Sequence, residues 1–145
     1  MTADSLFSLA GMIVTPAWIL LAVAPRWRWT ERIVHTGGVS LLIGVLYVWL
    51  LATHWGDSDG GFGSIAQVRE LFATDYVLLA GWVHYLAFDL FIGAWEVRDA
   101  KRTGVPHLAV IPCLFLTFMF GPAGLLLYFV LRWSITKRFA VADVS

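Results

Sequence analysis

Charge is scarce in this chain, and reactive sulfur is almost absent. Of 145 residues only 14% are charged, and they cancel to a formal net charge of zero. With so few basic residues, and those scattered, no surface is left to neutralise a phosphate backbone, so nucleic acid is set aside as a partner. Cys113 is the only cysteine, which excludes an intrachain disulfide, a CxxC redox pair and a thiolate zinc site; it is expected to pack as a small hydrophobe. Lys101 and Lys137 are the only lysines, and both fall outside the long apolar runs. A retinal Schiff base buried in a helix bundle therefore has no attachment point. His35, His54, His84 and His107 are too dispersed for the ligand set of a membrane di-iron oxygenase. Only His35 and His107 fall at one depth, as two haem ligands must. Neither a metal nor a cofactor is expected. No ring of charge suggests a pore, and too few apolar runs are present for an inverted-repeat transporter.

What is abundant is apolar surface. Hydrophobic residues make up 59% of the chain, more than one core of this size can hide, so lipid is expected to solvate much of it. A helix needs about 20 apolar residues to cross a hydrocarbon core about 30 Å thick. Four runs qualify, at 5–24, 34–53, 75–97 and 108–131. The expected fold is all-α: a polytopic bundle of about four transmembrane helices forming a single domain over 1–145, with short connections that make consecutive helices antiparallel neighbours. The first run ends in Leu21-Ala22-Val23-Ala24, which resembles a signal-peptide cleavage site, but Asp4 stands where a basic segment belongs, so retention is expected.

Basic residues suggest an orientation. Arg26, Arg28 and Arg32 lie in the first loop and Arg98, Lys101 and Arg102 in the third, whereas the second has Arg69 among Asp57, Asp59 and Glu70. The positive-inside rule places loops 25–33 and 98–107 in the cytoplasm, in the cytoplasmic membrane if the host is bacterial. With four spans both termini then lie outside, yet Arg132, Lys137 and Arg138 of the tail pull the other way. Trp27, Trp29, Trp55 and Trp133 fall at span ends, as interfacial aromatics do. In the second loop Ser64 reads as the N-cap of a short amphipathic helix at the membrane surface over about 64–73, and Asp57-Ser58-Asp59-Gly60 as a polar turn that lacks the remaining ligands of a calcium loop.

The chemistry concentrates in the third run, where His84 and Asp89 fall near the bilayer midplane. Ionisable groups at that depth are costly and mark function by default. At about 100° per residue, Trp82, Tyr85, Asp89 and Glu96 share one stripe, while His84 lies about 140° round from Asp89 on the face of Phe88, Phe91 and Trp95. Asp89 is either an acid bonded to another helix or a functional group. His84 is either a satisfied imidazole or an acid/base residue, and Glu96 either lines a site or pairs with basic residues of the third loop. Trp82, Tyr85 and Phe88 are packing aromatics or the walls of a ligand site. In the fourth run Phe120-Gly121-Pro122-Ala123-Gly124 sits in mid-span; Pro122 lacks a backbone donor and predicts a kink, beside which Phe120 and Pro122 are candidate substrate contacts.

At Leu79-Ala80-Gly81-Trp82-Val83-His84-Tyr85-Leu86-Ala87-Phe88-Asp89-Leu90-Phe91 the chain resembles the core of the abscisic-acid-deficient-four-like family. The resemblance extends back through Ser64-Ile65-Ala66-Gln67-Val68-Arg69-Glu70-Leu71-Phe72 and forward through Pro112-Cys113-Leu114-Phe115 and Phe120-Gly121-Pro122-Ala123-Gly124-Leu125. Trp82, His84, Asp89 and Phe91 match the family pattern; after Asp-Leu-Phe this chain has Ala94 and Glu96 where plant members carry a basic residue. The family's plant member is associated with neoxanthin synthesis, so the resemblance implies a carotenoid or similar apolar isoprenoid as ligand. Converting an epoxy-carotenoid end group to an allenic alcohol needs an acid at the epoxide oxygen and a base at a ring-adjacent carbon, without a redox cofactor. On that implication protonated Asp89 serves as the acid and His84 as the base, in a groove of the third and fourth spans walled by Trp82, Tyr85 and Phe120. Two other classes stay open: a non-catalytic carotenoid or lipid binder or scaffold of pigment synthesis, and a small proton-coupled carrier. Short loops and exposed small residues allow a homo-oligomer.

Overall fold

A computed structural model of the protein describes residues 1–137, and within them it is helical without strands. Helix α1 covers Ala3–Val23, α2 Gly38–His54, α3 Ile65–Leu71, α4 Asp75–Thr103, α5 His107–Phe120 and α6 Pro122–Thr136. A π-helical turn at Thr30–Val34 leads into α2, and a 3₁₀ turn at Trp55–Asp57 follows it. Three helical stretches are long and apolar enough to cross a membrane: α1, Thr30–Asp57 and α4. The short helix of the second loop forms as expected, with the Ser64 hydroxyl accepting from the Gln67 N–H at 3.2 Å.

Helix α4 is the axis of the bundle, packing against α1, α2, α5 and α6. Its buried positions Val83, Leu86, Ala87, Leu90, Ala94, Val97 and Ala100 meet Ala10, Val14, Ala17, Trp18 and Leu21 of α1 and Ile43 and Leu50 of α2 in one core. Small residues on both α1 and α4 let the two backbones approach closely, the usual solution where lipid removes the hydrophobic drive for helix association. The outward faces stay apolar: Leu41, Val45, Val48 and Leu126 are exposed.

The expected fourth span departs most from a simple crossing. It is two helices of 14 and 15 residues, about 21 and 22 Å long at 1.5 Å per residue, each short of the hydrocarbon thickness. The break is at Gly121, at φ 43° and ψ −93°, with Pro122 opening α6 as its first residue. Pro122 has no N–H to offer the carbonyl four residues back, that of Phe118, so the ladder cannot run through. The Tyr85 hydroxyl donates to that carbonyl instead.

The chain then doubles back. Along α5, Thr117 and Gly121 meet Glu96 and Asp89 of α4; along α6, Tyr128 and Arg132 reach Asp99, further towards the C-terminal end of α4. Helices α5 and α6 are thus a hairpin whose tip lies at the midpoint of α4. Gly124 makes the fold-back sterically possible, because a Cβ there would run into the backbone N and Oγ1 of Thr117 and lie 2.6 Å from the Cys113 carbonyl. The anticipated kink at Pro122 is therefore a reversal, and Arg132 comes to the end of α4 that also carries Lys101 and Arg102. Arg138 of the tail lies outside the described residues.

Candidate functional site

Of the predicted stripe of α4, three members turn to one neighbour, while Trp82 packs on Phe7 of α1 instead. Tyr85, Asp89 and Glu96 all face α5: Tyr85 donates to the Phe118 carbonyl, the Asp89 carboxyl lies against Gly121, and Glu96 Oε1 accepts from the Thr117 hydroxyl at 2.9 Å. Any side chain at Gly121 would put its Cβ 2.7 Å from Asp89 Oδ1, so the hairpin tip and the carboxyl are fitted to each other. Asp89 Oδ2 and Glu96 Oε2 are buried without a hydrogen-bond partner among the described residues. Buried polar atoms are nearly always satisfied, so two open carboxyl oxygens on one stripe single out this region. Asp89 also sits at the N-terminal end of α6, whose dipole favours negative charge there.

Beside this stripe lies an aromatic-walled trough between α1 and α4. It comprises two cavities of about 500 Å³ each, both lined by Phe7, Trp82 and Tyr85. One extends over Ala3, Asp4, Phe72 and Leu78 towards the second loop, the other over Gly11, Val14, Thr15, Phe118 and Met119 towards the hairpin. The rings of Phe7 and Trp82 are 5.4 Å apart and those of Trp82 and Tyr85 5.3 Å, a continuous apolar wall. Volume and lining suit an extended apolar molecule. Asp89 is one helical turn beyond Tyr85 and outside both cavity walls, and Tyr85 and Phe118, which line the second cavity, are joined by a hydrogen bond.

The other expected site residues are elsewhere. His84 lies on a different face of α4, its ring 5.3 Å from that of Tyr47 in α2 and 4.7 Å from that of Phe88. The structure does not bring it to Asp89. Phe88, 59% exposed, and Phe120, 62% exposed, point away from the trough, and Pro122 is exposed at the start of α6. The trough is walled by α1 and Phe118 where the sequence suggested Phe120. Glu96 pairs with Thr117 and not with the third-loop cations: Arg102 engages Asp99, Lys101 meets Glu31 and Arg98 donates to the His35 carbonyl.

Sequence reasoning missed that Asp99 centre. Asp99 is bridged by Arg102 at 2.9 Å and Arg132 at 2.8 Å and accepts from the Tyr128 hydroxyl at 2.7 Å. The available signal was Arg132, a lone cation within the apolar stretch Leu125–Ile135, which at that depth demands a partner.

A family model described as ABA DEFICIENT 4-like matches residues 5–128. Protein ABA DEFICIENT 4, chloroplastic, of Arabidopsis thaliana is 25% identical over 146 residues, a stretch covering 94% of this chain and 64% of that protein. The chain thus spans less than two thirds of the length of that curated relative. No solved structure matches the chain.

Proposed function

The chain belongs to the ABA DEFICIENT 4-like family, and from that premise we propose that it is an integral membrane protein that binds a carotenoid or related isoprenoid in the α1–α4 trough and isomerises an epoxide end group at Asp89. The observation that carries the reading is a half-buried carboxyl whose buried Oδ2 has no hydrogen-bond partner among the described residues, one turn from an aromatic-walled trough. Asp89 in its acid form donates its proton to the epoxide oxygen as the ring C–O bond breaks. The carboxylate so formed then takes the proton from the adjacent chain carbon, the C–H pair becomes the new double bond of the allene, and the acid is restored. Atoms balance without a redox step, and one carboxyl serves as both acid and base. The positive end of α6 faces the negative charge while it exists. Tyr85 and Trp82 position the polyene, and displacement of Tyr85 from the Phe118 carbonyl opens the approach.

The proposed orientation puts the Arg-bearing ends inside. The hairpin supports it by bringing Arg132 to the same end as Arg26, Arg98 and Lys101, which removes the conflict that four crossings create.

A non-catalytic carotenoid-binding role is the second reading, and the observation favouring it is that Asp89 lies outside both cavity walls. The purified protein in lipid nanodiscs, given an epoxy-carotenoid, separates the two. The catalytic reading expects an allenic product that falls by about a hundredfold or more in Asp89→Asn with the melting temperature preserved. Retention of pigment by the wild type, seen as a structured visible band without product, would establish binding alone.

A further inference from the structure

At the other end of the bundle lies a site that the trough does not use. A cavity of about 290 Å³ is formed by the α1–α2 connection, the last turns of α4 and the start of α5, and its walls include Arg26, Arg98, Lys101, Glu31, His35 and His107. We propose that this cavity binds a phosphate group, carried either by the headgroup of an anionic membrane lipid or by a free phosphate or diphosphate compound. The inference is independent of the reading of Asp89 and holds whether or not the protein is an enzyme.

Charge is the first argument. Three cations face one carboxylate, and that carboxylate, Glu31, meets Lys101 at 3.4 Å with both side chains largely in solvent. An exposed pair of that kind is weak, so Lys101 is available to a competing anion. Arg98 spends one nitrogen on the His35 carbonyl, at 2.7 Å, which fixes the guanidinium at the cavity and leaves its other N–H groups to donate. Three cations thus gather at one half-open cavity against a single carboxylate.

The histidines supply the second argument. His35 Nε2 is 3.0 Å from the Pro25 carbonyl and His107 Nε2 is 2.9 Å from the Ala22 carbonyl. A carbonyl only accepts, so each Nε2 carries the hydrogen and each Nδ1 is left as the free atom. His35 Nδ1 is buried with no hydrogen-bond partner among the described residues. Such an atom is open to a partner from outside the chain, water or ligand: a neutral Nδ1 accepts from the O–H of a protonated phosphate or a headgroup hydroxyl, and a protonated one donates to a phosphate oxygen. Fixed imidazoles, a fixed guanidinium and two flexible cations together offer donors from several sides, which suits an oxyanion with several oxygens such as phosphate.

The test uses the purified full chain in detergent with two probes. Isothermal titration with inorganic diphosphate reads the soluble source, and native mass spectrometry with phosphatidylglycerol against phosphatidylcholine reads the lipid source. The expected result is binding of at least one phosphate probe, with phosphatidylglycerol retained over phosphatidylcholine if a headgroup is the natural occupant. Arg26→Gln combined with Lys101→Gln, both at exposed positions that do not threaten the fold, should weaken that binding by about tenfold. Glu31→Gln should tighten it, and Arg28→Gln, outside the cavity wall, should leave it unchanged. The proposal is overturned if diphosphate does not bind and phosphatidylcholine is held as well as phosphatidylglycerol. It is equally overturned if Arg28→Gln weakens binding as much as the double variant, which would mean diffuse attraction to any surface cation.

Discussion

Asp89, half-buried, and Asp99, buried, are acids on the same helix, and their surroundings could hardly differ more. Asp99 engages two guanidinium groups and a phenol, drawn from α4 and α6, so both its oxygens are occupied. Asp89 faces Gly121 and the Tyr85 side chain, and its Oδ2 is buried without a hydrogen-bond partner among the described residues. A saturated acid holds helices together, whereas an unsatisfied one is stored chemistry whose burial the rest of the fold must offset. Under the proposed function, structure belongs to the end of α4 and reaction to its middle, so the two positions should respond oppositely to substitution.

The largest effect on stability is expected at the saturated end. Asp99→Ala takes the carboxylate away from the buried Arg132 guanidinium and should cost about 3–5 kcal/mol, read as a large fall in melting temperature in detergent. Asp89→Asn should leave the melting temperature unchanged or raise it, since the amide has nearly the shape of the carboxyl and no charge to bury. If both substitutions destabilised equally, the division between the two acids would collapse.

Next in size is the hairpin itself. Gly124→Ala places a methyl group against the backbone of Thr117 and Cys113, atoms that cannot move without opening α5 from α6. The expected cost is about 1–3 kcal/mol. Opening the hairpin also displaces Gly121 from Asp89, so isomerisation should fall along with stability. An activity loss with unchanged melting temperature would mean that the tip is shaped independently of the α5–α6 contact.

How much of this was legible depends on the range of the interaction. The long apolar helices, the Ser64 cap and the stripe of Tyr85, Asp89 and Glu96 follow from periodicity within one segment, and each is present in the structure. The break at Gly121-Pro122 was visible because proline's missing donor is a local fact. Its direction was not, because the return of α6 depends on the approach of Gly124 to Thr117 and on an ion pair between Asp99 and Arg132 across 33 residues of sequence. The wall of the trough was hidden for the same reason: Phe7 of α1 meets Trp82 of α4 only once the helices have packed.

His84 offers the smallest effect and the finest test. The helical projection put it on a face different from that of Asp89, and in the structure it lies exposed on that other face with its ring against those of Tyr47 and Phe88. Its ring serves there as a flat packing surface between α2 and α4, so His84→Phe should preserve the contact and change stability by no more than about 0.5 kcal/mol. Product formation in nanodiscs should likewise persist, because the proton removed from carbon returns to the carboxyl that supplied it. Loss of conversion in His84→Phe with the melting temperature intact would transfer the base role to the imidazole, and would require the polyene to reach α4 from the α2 side as well as through the trough.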